Sequence, residues 1–161
     1  MKLKEILKEL NNNENFKKFK KQNPDAYLSA GFFVLDFNGN EHNGKYQLDF
    51  FIPKKKKIAI FEYPFENFKI DEGQIENAEK LADEIKVDIP DLFDNVKKIH
   101  KKNNYEKTIT KIIAILKDNQ WNLTCMSSDL NMTRIKINSL TGSLDSFEKL
   151  RLMDFMRIGK T

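Results

Sequence analysis

Residues 27–37 read YLSAGFFVLDF, and this stretch decides the fold class. It is rich in aromatic and β-branched residues and too poor in charge for a surface helix. Both alternating faces are apolar in its middle, which predicts a central strand covered on both sides. Working outward, Asn38–Gly39 and Asn43–Gly44 bracket a polar loop, and both dipeptides are strong turn formers. The next segment, Lys45 to Ile52, puts Tyr46, Leu48, Phe50 and Ile52 on one face and Gln47 and Asp49 on the other. After Pro53 and the run Lys54–Lys57, Ile58 to Tyr63 reads as a third strand. Residues 27–63 are thus expected to form a three-stranded antiparallel meander.

The flanks read as helices and a second hairpin. Leu3, Ile6, Leu7 and Leu10 recur at i, i+3, i+4 and i+7, one helical stripe. Asn11 to Asn13 interrupts it and can cap a second short helix carrying Phe16 and Phe19, which ends before Pro24. Asp71 to Gln74 resembles a capping box, followed by a helical stripe of Ile75, Ala78, Ala82 and Ile85. Asp88, Pro90 and Asp91 open another helix with the stripe Leu92, Phe93, Val96, Ile99 and His100. Ile109, Ile112, Ile113 and Leu116 predict a further helix over about residues 105–118. Residues 121–138 then read as a hairpin with Trp121 beneath it, and Thr141–Gly142 as a turn. The tail 146–158, SFEKLRLMDFMRI, is expected to be a short helix.

The expectation is an α+β fold: antiparallel sheet from the meander and the hairpin, packed by helices on one face. At 161 residues the chain suits a single domain, with sub-halves 1–70 and 71–161 marked by a faint helix-then-strands repeat. The 13 Phe supply ample core, so disorder is not expected. A single cysteine, Cys125, rules out a disulfide scaffold and suits a reducing, cytoplasmic setting. The start MKLKEILKELNNN lacks the apolar run of a signal peptide, and no stretch is long enough to cross a bilayer, so no membrane is expected.

Net charge is +4, but its distribution is more informative. Residues 1–61 sum to +5, 62–96 to −8, 97–120 to +5 and 121–161 to +2. Such alternation favours attraction between segments of one fold over a uniform nucleic-acid footprint. Of the 28 basic residues only three are Arg, the usual bidentate reader of phosphate and guanine, so nucleic-acid binding is expected to be weak at most. The cluster Lys54, Lys55, Lys56 and Lys57 is a candidate phosphate clamp, though lysines at a hairpin tip also protect a sheet edge.

Catalytic signals are sparse. His42 and His100 have no metal-ligand spacing, Gly-rich phosphate loops and a GxSxG elbow are absent, and no cofactor or metal is expected. Asp88, Asp91 and Asp94 suit a first helical turn rather than a calcium loop. The segment YQLDFFIPKKKKIAIFEYP (residues 46–64) resembles the core hairpin of restriction-endonuclease-like nucleases, with Asp49 in one strand and Glu62 in the next. That resemblance implies a magnesium site built from Asp49 and Glu62, but the position of the third group, the ExK lysine, is Pro64. Residues 107–117 with WNLTCMSS, TRIKINSLTGSL and the Thr141–Gly142 turn resemble a PepSY-type module. This implies a small α+β domain that binds protein or peptide segments. The leading expectation is therefore a non-enzymatic interaction module that takes a protein or peptide, or pairs with itself. Phe65 and Phe68, in the irregular stretch PFENFKIDEG beside the acidic segment, are the expected apolar contacts.

Overall fold

The computed structural model describes residues 1–37 and 45–151. Both Asn–Gly turns, His42 and residues 152–158 of the expected tail helix lie outside them.

The chain begins with two short helices. In α1 (Leu3–Asn11) Leu3, Ile6 and Leu10 are buried, as the stripe requires. Helix α2 (Glu14–Gln22) starts at Asn13, whose side chain accepts from the Phe16 amide at 3.1 Å. It buries Phe16 and Phe19. The expected meander follows as β1 (Tyr27–Asp36), β2 (Lys45–Ile52) and β3 (Lys57–Glu62), extended by the short edge strand β4 (Phe68–Ile70). A 3-10 turn, Ile89–Asp91, carries a capping box made by Asp88 and Asp91 and leads into α3 (Leu92–Lys102). Four more strands complete the described chain: β5 (Ile109–Lys117), β6 (Gln120–Ser127), β7 (Met132–Asn138) and β8 (Leu144–Leu150).

All eight strands form one antiparallel sheet in the order β4-β3-β2-β1-β5-β6-β7-β8. It consists of two four-stranded meanders, one after α1 and α2 and one after α3, joined where β1 pairs antiparallel with β5. The sheet is larger than the expected meander plus hairpin because β4, β5 and β8 add to it, and residues 75–85 also depart from the expected helix.

Residues 109–117 are the strand β5 rather than a helix. A bulge between Ile109 and Lys111 breaks the two-residue alternation, so Ile109 and Ile112 are both buried despite their helix-like spacing. Residues 144–150 are the edge strand β8 rather than the start of a tail helix. Residues 75–85 form no helix. This segment runs beneath the strand ends, where Ile75 N donates to Lys56 O, Leu81 N to Leu28 O, Ala82 N to Asn119 Oδ1 and Lys86 N to Ser139 O. From Ile75 to Lys86 it crosses from β3 to β7, five strand spacings or about 24 Å. Eleven helical residues would cover only about 16 Å, so the strap must stay extended.

The core lies between the helices and one face of the sheet. Phe33, Leu48, Phe61, Ile112, Ala114, Leu116, Trp121, Leu123 and Ile135 are fully buried there with Ile6, Leu10, Leu92 and Val96 of the helices. Phe16, Phe19, Phe50 and Phe61 meet edge-on or tilted with centroids 5.0–6.3 Å apart. Gly31 is required by packing: a Cβ there would lie 2.7 Å from the Phe33 ring. Gly142, at φ +82°, closes the turn after β7, where Asn138 Oδ1 accepts from the amides of Leu140 and Thr141.

Strand β1 is central as expected, but its second face is not covered as expected. Helices α1, α2 and α3 all contribute to the single core, and the opposite face of β1 is only half-buried at Ala30, Phe32 and Val34. The strap closes just one corner of that face. There Tyr27 packs on Phe51 at 5.7 Å and its hydroxyl donates to Ala78 O at 2.6 Å.

Candidate functional site

Asp49 and Glu62, the pair that the nuclease resemblance implies, sit on the same face of the sheet, opposite the described helices. Register places Asp49 opposite Ile60 and Glu62 opposite Gln47, so the two are diagonal rather than facing neighbours. Gln47 Nε2 donates to Asp49 Oδ1 at 3.0 Å, and burial raises the Asp49 carboxyl above its ordinary pKa. Among the described residues no three His, Cys, Asp or Glu side chains converge on a point that could hold a metal. Two residues after Glu62 stands Pro64, so a basic third group is missing from this position.

The lysine cluster is divided. Lys54 and Lys55 are exposed at the β2–β3 turn. Lys56 pairs with Glu76 at 2.9 Å, and Lys57 Nζ donates to the Glu72 carbonyl. With Lys4–Glu84 at 3.8 Å, these contacts bind the acidic strap to the basic first third of the chain. The charge alternation along the sequence thus has an intramolecular use, and two of the four lysines are committed to it.

The two phenylalanines part company. Phe65 is a correction to its expected surface role, because only 2% of it is exposed. It belongs to the core cluster, and its carbonyl accepts from Asn13 Nδ2 at 2.9 Å. The chain turns inward there through a left-handed backbone at φ +69°, closed by Phe65 N to Glu62 O at 2.7 Å. Phe68, on edge strand β4, stacks on Phe61 at 4.8 Å and remains 37% exposed.

The remaining polar interior lies under the second meander. His100 Nε2 is 2.7 Å from Thr133 Oγ1, its ring packs on Tyr105 at 4.6 Å, and its Nδ1 is buried without a partner among the described residues. Burial lowers the His100 pKa and pushes the Cys125 thiol up to about 12, so the thiol is held in its protonated, poorly nucleophilic form. Burial disfavours the protonated imidazole in the fold, while the unfolded chain takes up a proton near pH 6.5. The stabilisation present above that value is therefore lost as pH falls below it. Melting temperature is expected to drop between pH 7 and pH 5, and His100→Gln should flatten that slope; an unchanged slope would overturn this role.

A cleft of about 510 Å³ opens between α1, α2, the start of β1 and the strap. Its floor is apolar, with Leu3, Phe16 and Leu81, and its rim mixes Lys2, Lys4 and Lys80 with Asp83 and Glu84. The rim therefore carries both signs of charge.

A further surface is the face of the sheet opposite the described helices. Pairing aligns Gln47, Phe32, Ile115 and Asn122 in one row, and Lys45, Val34, Ile113 and Thr124 in the next. Ile60 on β3 and Met126 and Met132 on β6 and β7 extend the apolar area. Ile115 is 38% exposed, and Phe32, Val34, Ile113 and Ile60 are half-buried. Lys111, Lys117, Asp49 and Arg134 surround this centre. Sequence reasoning missed it because residues 105–118 read as a helix. The signal available was the β-branched run of 109–115, Ile-Thr-Lys-Ile-Ile-Ala-Ile, which favours a strand.

No family model matches the chain, and no curated protein matches it. Among solved structures it is similar to a "putative lipoprotein" from Clostridium difficile 630, at 16% identity. That likeness covers 85% of this chain and 91% of the other, with a TM-score of 0.49. Among the described residues no helix is long and apolar enough to cross a membrane.

Proposed function

We propose that this chain is a non-enzymatic protein-interaction module that binds through the open face of its sheet. The observation that supports this reading is the one-sided architecture. Among the described residues the helices pack on one face, and the other presents Phe32, Val34, Ile113 and Ile115 inside a polar rim. An apolar centre with a charged border is the anatomy of a protein contact surface. The binding site thus moves from the expected Phe65 and Phe68 to strands β1 and β5. A reducing, cytoplasmic setting belongs to the same reading, supported by the single, buried Cys125.

The test is a photo-crosslinking residue in place of Ile115, introduced in the native host, with Lys98 on the exposed side of α3 as control position. Position 115 is expected to give discrete adducts and position 98 none. Absence of adducts at 115, or equal adducts at both positions, would overturn the reading.

A further inference from the structure

We infer that the strap, residues 75–85, is a two-state latch: extended while both its ends are held, and an amphipathic helix once its hold on β3 is released. The residues of this segment and its conformation disagree. IENAEKLADEI has no Gly or Pro, and Ala, Glu, Lys and Leu, the strongest helix formers, make up most of it. At about 100° per residue, Ile75, Ala78, Leu81, Ala82 and Ile85 would share an arc of about 120°. Glu76, Glu79, Lys80, Asp83 and Glu84 would all lie outside that arc. Lys80 stands four residues from both Glu76 and Glu84, against one like pair, Glu79 and Asp83. A local preference of this kind, overruled by the tertiary structure, works against the observed conformation.

What overrules it is attachment at two ends, and the ends are not equally firm. At the β7 end Lys86 N donates to Ser139 O at 2.8 Å, Trp121 Nε1 donates to Val87 O at 2.7 Å, and Val87 and Ile89 are buried. At the β3 end residues 71–74 are exposed. The hold there is Asp71 N to Ile58 O and Ile75 N to Lys56 O, both 2.9 Å, with Lys57 Nζ to the Glu72 carbonyl and the exposed Lys56–Glu76 pair. Exposed pairs contribute little. Between the ends, the Tyr27 hydroxyl donates to Ala78 O, Leu81 N to Leu28 O and Ala82 N to Asn119 Oδ1. A helix would replace the last two with its own i to i−4 bonds. It would fall short of the span by about 8 Å, which residues 71–74 can cover once free of β3. Leu81 is the strap side chain whose burial, at 4% exposed, most opposes release, so the extended form is the major one. Leu81, Ala82 and Ile85 also line the cleft beside Leu3 and Phe16, so the same movement opens it.

Nuclear magnetic resonance Cα shifts of the isotope-labelled full chain read the conformation of residues 75–85 directly. The parent should show extended values. Lys56→Glu, Tyr27→Phe and Asn119→Gly together remove the side-chain holds at Glu76, Ala78 and Ala82. Glycine suits the left-handed backbone of Asn119, at φ +55°. In that variant residues 75–85 should take helical shifts, adding 11 helical residues, as many as α3 holds. Ala78→Gly and Ala82→Gly, introduced on top, should abolish the gain, because they remove only two methyl groups from extended chain but strongly disfavour helix. Dispersed amides of β1 and β5 confirm that the sheet is intact. Should the triple variant not fold, Lys56→Glu with Tyr27→Phe, which alters no fully buried residue, is read in the same way. A parent already helical at 75–85 would overturn the latch. So would a released strap with random-coil shifts, one that stays extended, or a helix indifferent to the two glycines.

Discussion

Trp121→Ala is expected to lower the unfolding free energy by about 3–5 kcal/mol, the range for removing a large buried aromatic side chain. Trp121 on β6 is fully buried, pairs with Leu116 and Ile137 on the neighbouring strands and packs on Phe33 of the central strand at 5.7 Å. Its Nε1 also donates to the Val87 carbonyl at 2.7 Å, which fixes the end of the strap where the chain turns into α3. Alanine would leave both a cavity and an orphaned carbonyl. Trp121→Phe would keep most of the packing and lose the hydrogen bond, for about 1–3 kcal/mol. Urea titration followed by circular dichroism measures both, since Trp121 is the only tryptophan. A loss below about 1 kcal/mol for alanine, a typical surface-to-average effect, would show that the strap is not anchored this way.

Phe65→Ala and Phe68→Ala should differ sharply. Phe65 fills the core beneath the turn after β3, so its truncation is expected to cost about 3–5 kcal/mol. Phe68 lies on the short edge strand with one side in solvent, and loses mainly its ring contacts with Phe61 and Phe19. Aromatic pairs of this kind contribute about 0.5–1.5 kcal/mol each beyond area burial, so the loss should fall in the low end of the range for partly exposed rings. Neither variant should alter adduct formation at position 115, because both rings belong to the helix side of the sheet. Equal destabilisation by the two substitutions would contradict the inward turn at φ +69°.

The difference between these phenylalanines was not legible in the chain. Both occur in PFENFKIDEG, which has no period of two or of 3.6, so nothing local indicates which ring turns inward. That depends on α2, whose N-cap residue Asn13 reaches the Phe65 carbonyl from 52 positions away. The same limit applies to the strap. Its Ile75, Ala78, Ala82 and Ile85 satisfy a helical stripe, but the span between β3 and β7 can be bridged only by extended chain. The open-face site needed β5 as a strand, and the bulge at Ile109–Lys111 disguised the alternation that would have revealed it.

Sequence alone determined the parts held by nearest neighbours. The stripe of α1, the Asn13 cap of α2, the Asp88–Asp91 start of α3, strands β1 to β3 and the β6–β7 hairpin all follow from local periodicity, capping and turn chemistry. Those signals act within a few residues and survive in a single chain read in order. Tertiary structure decided that both meanders share one sheet through β1 and β5, that residues 109–117 are strand, and that the described helices all lie on one face of the sheet. Backbone hydrogen bonds between strands carry no sequence label. Phe32 and Ile115 stand 83 positions apart, and only the pairing of their strands puts them side by side.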